Sequence, residues 1–240
     1  MRPILKIDTN FDFRSDTPKN QDPDSQSPRL RLYHKVLWSK ALPSGIIFTL
    51  SDETKGAYLY HKSKEGEFYL ASDTAVPALT GSAPVSRFLK SIPSKEMNEF
   101  YRMGYTIGGM MLFPGFQIDR TQTINQAKGF NPRIKDRLDL TLECIRRFYS
   151  GENHPLKDVL FRYRKFFQIF GDFRNYAQFF LLQDALSDDF TRVKFFHTFE
   201  NFETSPVPQT LLEYLKYKKL AINFIKARNR RISKLRFQGG

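Results

Sequence analysis

The sequence predicts an α+β fold in which a β-rich N-terminal half packs on a helical C-terminal half. Three observations carry this. Short β-branched and aromatic runs alternate with turn residues between positions 46 and 72. After Pro132 the apolar residues recur instead at three- and four-residue steps. The chain has 240 residues, of which 40% are hydrophobic, and that is enough for one sizeable core. The expected organisation is a single domain over 1–240, with a polar arm over 1–29, a β-rich lobe over 30–115 and a helical lobe over 133–236.

The elements follow in order. Asp16 to Pro28 is rich in turn formers, and each proline biases its predecessor away from helix, so an ordered loop or a flexible arm is expected. Burial starts with the dense apolar positions of Leu30 to Trp38. A β-meander is read over 46–72, with runs at Ile46–Leu50, Ala57–His61 and Glu67–Ala71 and turns at Ser51–Gly56 and Lys62–Gly66. Tyr105–Phe113, closed by Pro114-Gly115, reads as a buried strand that Gly108-Gly109 weakens. Helices are expected over 133–150, 155–170, 173–186 and 209–234. The stripe Leu156, Val159, Leu160, Tyr163, Phe166, Phe167 and Phe170 is the cleanest, opened by Pro155 and stopped by Gly171.

Composition excludes several classes. The formal charge of +13 is high, yet the apolar content is too large for a disordered basic tail. No run of about 18 apolar residues spans a bilayer. Met1 to Asp8 lacks the apolar core of a signal peptide. Cys144 is the single cysteine, which fits a reducing cytoplasm.

Charge gives the first functional expectation. From Lys216 to Arg236 there are nine cations and no acid after Glu213. Each cation set against a phosphate releases a condensed counterion, so Lys226, Arg228, Arg230 and Arg231 are candidate contacts to RNA or another nucleic acid. The competing reading is a solvated helix whose cations suit its own dipole, or which docks on an acidic protein partner. Membrane binding is not expected, because the stretch lacks Trp and offers a short apolar face. The rings of Tyr163, Phe166, Phe167 and Phe170 fall on their helix's apolar stripe and read as core rather than as a stacking platform.

His34 and His61 share a Tyr-His-Lys context. A metal-independent ribonuclease of toxin or defence type needs a base, an acid and cations around the phosphorane, and His34, Lys35, His61 and Arg120 supply that kit. Hydrogen-bonded structural histidines are the plainer alternative. Pro23-Asp24 with Glu53-Thr54-Lys55 mimics the carboxylate spacing of a Mg²⁺ nuclease, but both pieces fall in turns. One Cys and four His at no ligand spacing exclude zinc, Gly104–Gly109 does not continue as a phosphate loop, and no nucleophile motif occurs, so no cofactor is expected. The long polar connection 117–137 is a candidate anion or nucleotide cleft, lined by Asp119, Arg120, Thr123, Asn125, Gln126, Lys128 and Arg133, and Lys128, Arg133 and Arg137 join the candidate nucleic-acid contacts.

Five stretches together resemble a family of bacterial proteins classed as a domain of unknown function. They are Asp22–Ser25, Tyr33–Lys40, Gly104–Met111, Ile124–Gly129 and Asp136–Arg147. The resemblance covers nearly the whole chain, and it implies a single bacterial cytoplasmic domain without implying an activity. Lys128 stands where the family pattern has Arg, which keeps the charge but not the bidentate geometry.

Overall fold

Helix start signals punctuate the first forty residues. In the computed structural model, which describes residues 6–52 and 58–236, Asp22 caps a single turn, α1 (Pro23–Gln26). Ser27 then caps α2 (Pro28–Trp38), its hydroxyl accepting from the Leu30 N–H at 3.1 Å. Both helices begin with proline, where the missing N–H would have had no helical partner anyway. The proline-rich stretch is therefore folded onto the molecule, and Ile7, Phe13 and Leu30 belong to the core. The 30–38 segment, placed by sequence at the head of a β-rich lobe, is helical: Leu30, Tyr33, His34 and Leu37 line one buried face at helical steps.

Two antiparallel sheets follow among the described residues. β1 (Lys40–Ala41) pairs with β2 (Ile47–Phe48). β3 (Leu59–Ser63), β4 (Gly66–Thr74) and β5 (Met110–Pro114) form a three-stranded sheet with β4 in the middle. The expected pairing of the Ala57–His61 and Glu67–Ala71 runs is present as β3 against β4, with Leu59 opposite Leu70 and Ser63 opposite Gly66, while Ala57 lies outside the described residues. The Ile46–Leu50 run instead closes on Lys40-Ala41. β5 starts later than the apolar run does, because Ile107–Gly109 forms a 3-10 turn. The two glycines belong there: a Cβ on Gly108 would sit 2.6 Å from the Ile225 carbonyl oxygen, and one on Gly109 would sit 2.2 Å from the Gly104 carbonyl oxygen.

Between the strands and after them lie α3 (Ala83–Ser86), α4 (Ser94–Gly104), α5 (Ile124–Phe130), α6 (Leu138–Ser150), α7 (Lys157–Arg162), α8 (Arg164–Gln168), α9 (Phe173–Phe179) and α10 (Leu211–Ser233). The fold is α+β, with its strands in the N-terminal half and most of its helical content after residue 133. α5 interrupts the long polar connection, fixed by a capping box in which Thr123 and Gln126 bond reciprocally. The helix expected from 133 begins only at 138, because Lys135 and Asp136 take left-handed backbone angles. The 155–170 helix breaks at Tyr163, and the 173–186 helix ends at Phe179.

The aromatic content fills the core. Phe166, Phe167, Phe170, Tyr176, Phe179 and Phe180 pack ring against ring from α8 and α9, and Trp38 of α2 joins them 5.2 Å from Phe180. α10 runs beside them, opened by a Thr210/Glu213 capping box. Its buried side ties distant loops together: the Tyr214 and Tyr217 hydroxyls donate to the carbonyls of Ala78 (2.8 Å) and Pro77 (2.6 Å). No helix among the described residues is long and apolar enough to cross a membrane.

Candidate functional site

α2 carries His34 inward. Trp38 Nε1 donates to His34 Nδ1 at 2.9 Å, one helical turn away, which leaves the ring proton on Nε2 facing Ser72 Oγ at 3.0 Å. Burial, and then the nearby Arg228 and Arg31, push its pKa down to about 3. His61 on β3 is also buried. Its Nδ1 faces the Thr49 carbonyl at 2.9 Å, its Nε2 faces Ser63 Oγ at 3.0 Å, and its ring stacks 4.0 Å from Phe48. Burial lowers this imidazole's pKa too, against the Thr49 hydrogen bond. No hydrogen bond or ring contact joins the two histidines among the described residues. Lys35 pairs with Asp52, and Arg120 is exposed in a left-handed conformation next to Asp119. No hydrogen bond or ion pair joins any two of these four among the described residues. Glu53 and Lys55 of the Glu-x-Lys pattern lie outside the described residues, and no three His, Cys, Asp or Glu gather at metal-holding distance among those described.

Three of the cations singled out in the sequence are interior. Arg228 is fully buried without a carboxylate; its guanidinium donates to the carbonyls of Phe180 (3.0 and 3.2 Å), Gly108 (3.1 Å) and Met110 (2.6 Å). Burial lowers its pKa to about 9. Arg137 is equally buried, forked onto Asp139 and donating to Pro206 O at 2.8 Å, while Asp139 also accepts the Phe196 N–H at 2.8 Å. Lys128 bridges Asp73 (2.6 Å) and Asp136. Burial alone would depress this ammonium, but the two carboxylates raise it. These three cations are withdrawn from the surface. Arg133 pairs with Glu203 at 2.9 Å and Arg231 with Asp184 at 3.0 Å.

What remains outside is a row. Lys216, Lys219, Asn223, Lys226, Arg230 and Lys234 are exposed at three-, four- and seven-residue steps, so they share one side of α10. None of these five cations makes a salt bridge among the described residues. Beside the row lies a groove of about 660 Å³, lined by Phe190, Phe195, Asn223, Arg230 and Lys194, together with the paired Asp184 and the exposed Asp188.

A second site forms at the far end of β4. Tyr69 of β4 and Ala75 just past its end bond to Gly115 and Gly109, which flank β5, so the even-numbered backbone groups between them face the other edge, which β3 leaves open past Leu70. Asp24 Oδ2 accepts the Thr74 N–H there at 3.0 Å, and Asn125 Nδ2 donates to the Ser72 carbonyl at 3.4 Å. Asp24 Oδ1 and Asn125 Oδ1 are both buried without a hydrogen-bond partner among the described residues. Burial, Asp73 and Asp22 push the Asp24 pKa up to about 8. On the adjoining sheet face Asp73, Asn125, Gln126, Phe130, Lys135 and Asp136 line a cleft of about 600 Å³. The 117–137 connection therefore contributes Asn125 and Gln126 to a cleft, places Lys128 beneath it as a strut, and leaves Asp119, Arg120 and Arg133 out. Asp73, Phe130 and Asp136 have no signal as single residues; the run of polar residues around Lys128 points toward Phe130 and Asp136, and nothing in the sequence points toward Asp73, which comes from β4.

The motif stretches Asp22–Ser25, Tyr33–Lys40, Gly104–Met111, Ile124–Gly129 and Asp136–Arg147 supply nearly all of these buried polar links. No curated protein and no solved structure matches the chain. A family model does match, over residues 7–232, which is almost the full length. The chain belongs to that family, the family of unknown function DUF6994.

Proposed function

We propose that the protein binds nucleic acid along the exposed side of α10, through phosphates and without base-specific readout. The observation that supports this most is the row Lys216, Lys219, Lys226, Arg230 and Lys234: exposed, free of salt bridges among the described residues and on one helix side. At a rise of about 1.5 Å per residue the row runs roughly 27 Å, the length of several backbone phosphates. The adjacent groove offers Phe190 and Phe195 beside Arg230, the pairing of rings with cations that suits unpaired bases. Cleavage by His34 and His61 is left out of the proposal, because each imidazole has both ring nitrogens in internal hydrogen bonds.

The test is fluorescence anisotropy with labelled single-stranded RNA, single-stranded DNA and duplex at 50 and 200 mM salt. With five phosphate contacts the expected slope of log K against log salt is roughly −3.5 on single strands. Lys226→Glu/Arg230→Glu is expected to weaken binding at least about tenfold. Undetectable binding, or binding unchanged by salt, overturns the reading. Displacement of the nucleic acid by polyglutamate at equal charge concentration would replace it with docking on an acidic protein.

A further inference from the structure

We propose that the cleft over Asp73 and Asp136 binds a sugar ring through two neighbouring hydroxyl groups, with the ring's apolar face on Phe130. This site is separate from the α10 row. Its volume of about 600 Å³ falls in the range of small-molecule sites.

The cleft floor offers paired acceptors. Lys128 Nζ holds Asp73 through Oδ2 and Asp136 through Oδ1, and the second oxygen of each carboxylate makes no hydrogen bond among the described residues. Both side chains remain partly accessible, at 18% and 30%. One ammonium thus sets two carboxylates side by side, each with an acceptor to offer, and two adjacent hydroxyls are the matching donors. Carboxylate recognition of sugar hydroxyls follows the same logic in dinucleotide sites, where an acidic side chain takes the ribose hydroxyl.

Charge narrows the ligand class. Lys128, Asp73 and Asp136 sum to −1, and Lys135, exposed at the cleft, restores neutrality. A neutral polyhydroxyl compound fits this balance better than an anion. Gln126 adds donors, since its Oε1 is committed to the Thr123 N–H at 3.0 Å while its NH₂ group makes no hydrogen bond among the described residues.

Phe130 supplies the apolar contact. The last residue of α5, it is 74% exposed, unusual for a phenylalanine in a chain whose other rings mostly pack inward. It borders this cleft and also a second opening of about 410 Å³ lined by Asn131 and Arg162, so its ring is free to meet a ligand. Across the cleft, Lys135 and Asp136 are consecutive non-glycine residues with φ of 48° and 63°. That backbone is costly, and it is what brings the Asp136 carboxylate to Lys128.

The experiment is saturation-transfer NMR on the full chain with methyl riboside, methyl glucoside, adenosine, uridine and methyl 2-deoxyriboside. Transfer to the compounds with vicinal hydroxyls is expected, together with at least tenfold weaker binding of the 2-deoxyriboside. Phe130→Ala is expected to weaken binding at least tenfold with an unchanged melting temperature, because the ring it removes is exposed. Asp136→Asn is expected to shrink the preference for the vicinal diol. Nucleosides that bind tenfold tighter than methyl riboside identify the ribose of a nucleoside as the ligand, and equal affinities identify a free sugar. No transfer to any of the ring compounds, or binding that Phe130→Ala leaves unchanged, overturns the proposal.

Discussion

Asp24 and Asn125 dock on the same open edge of β4, two residues apart, one accepting from the Thr74 N–H and the other donating to the Ser72 carbonyl. Each is left with a buried oxygen that has no donor among the described residues. A proton on Asp24 turns its own stranded oxygen into a donor, and burial beside Asp73 and Asp22 favours that proton.

This gives a signed pH dependence. The folded pKa of Asp24, about 8, lies above the ordinary carboxylate value, so the folded state keeps a proton that the unfolded chain releases. Stability contributed by Asp24 is therefore present at low pH and lost as pH rises through the folded pKa. Asp136, raised to about 6 by burial and by Asp73 against the pull of Lys128, adds loss at the lower end of that range. His34, lowered to about 3, works the other way and gains stability up to pH 6.5. Above pH 6.5 only the Asp24 loss remains among these three. Urea unfolding should show stability falling by about 2 kcal/mol between pH 6.5 and 8. Asp24→Asn should flatten that limb, and an equally steep limb in the variant would sink the assignment.

His34→Ala should act on folding and leave RNA binding alone. It strands the Trp38 indole N–H and the Ser72 hydroxyl and opens a cavity beneath α2, a loss of about 3 kcal/mol. Urea midpoints measure the loss. Anisotropy should give an RNA affinity within twofold of the parent, and loss of binding with unchanged stability would return His34 to the surface chemistry.

Arg137→Lys keeps the charge and discards the fork. Asp139 loses one of its paired bonds and the Pro206 carbonyl loses its donor, so about 2 kcal/mol should go. Because this pair pins residues 196–206, limited proteolysis should cut that segment faster in the variant. An unchanged cleavage pattern would show the segment to be held by other contacts.

Gly108 and Gly81 make a matched pair. Gly108→Ala forces a Cβ against α10 backbone at 2.6 Å and should cost about 2–3 kcal/mol, whereas nothing lies within 4 Å of a Cβ on Gly81. Gly81→Ala should be neutral within about 0.5 kcal/mol. Differential scanning calorimetry of the two variants decides it, since similar melting temperatures would mean that the strand entry yields to α10.

The fold class was legible because periodicity is a property of neighbours in sequence: the helical stripe ending at Phe170 and the 59–71 hairpin both declare themselves locally. The first helices were not, since proline at Pro23 and Pro28 reads as a breaker unless its place in the first turn is known. The candidate site is legible in part. Asn125, Gln126 and Lys128 stand out in a polar run, yet composition and charge alone do not tell that Lys128, Arg137 and Arg228 face carboxylates and carbonyls inside while Lys226 and Arg230 face water. On α10 the buried residues Tyr214, Tyr217, Ala221, Phe224, Ile225 and Ile232 recur at helical steps, and Arg228 falls among them while Lys226 and Arg230 do not.

Trp38 is the one tryptophan in the chain, and it sits where α2 meets Phe180 and His34, fully buried. Intrinsic emission excited at the indole band therefore comes from a single address. It should be blue-shifted in the native protein, move to the red only when the aromatic junction opens, and stay silent when a ligand settles on the outer side of α10 or beside Phe130. The molecule carries its own optical label for folding, in direct hydrogen-bond or ring contact with none of the residues that line either surface where binding is proposed.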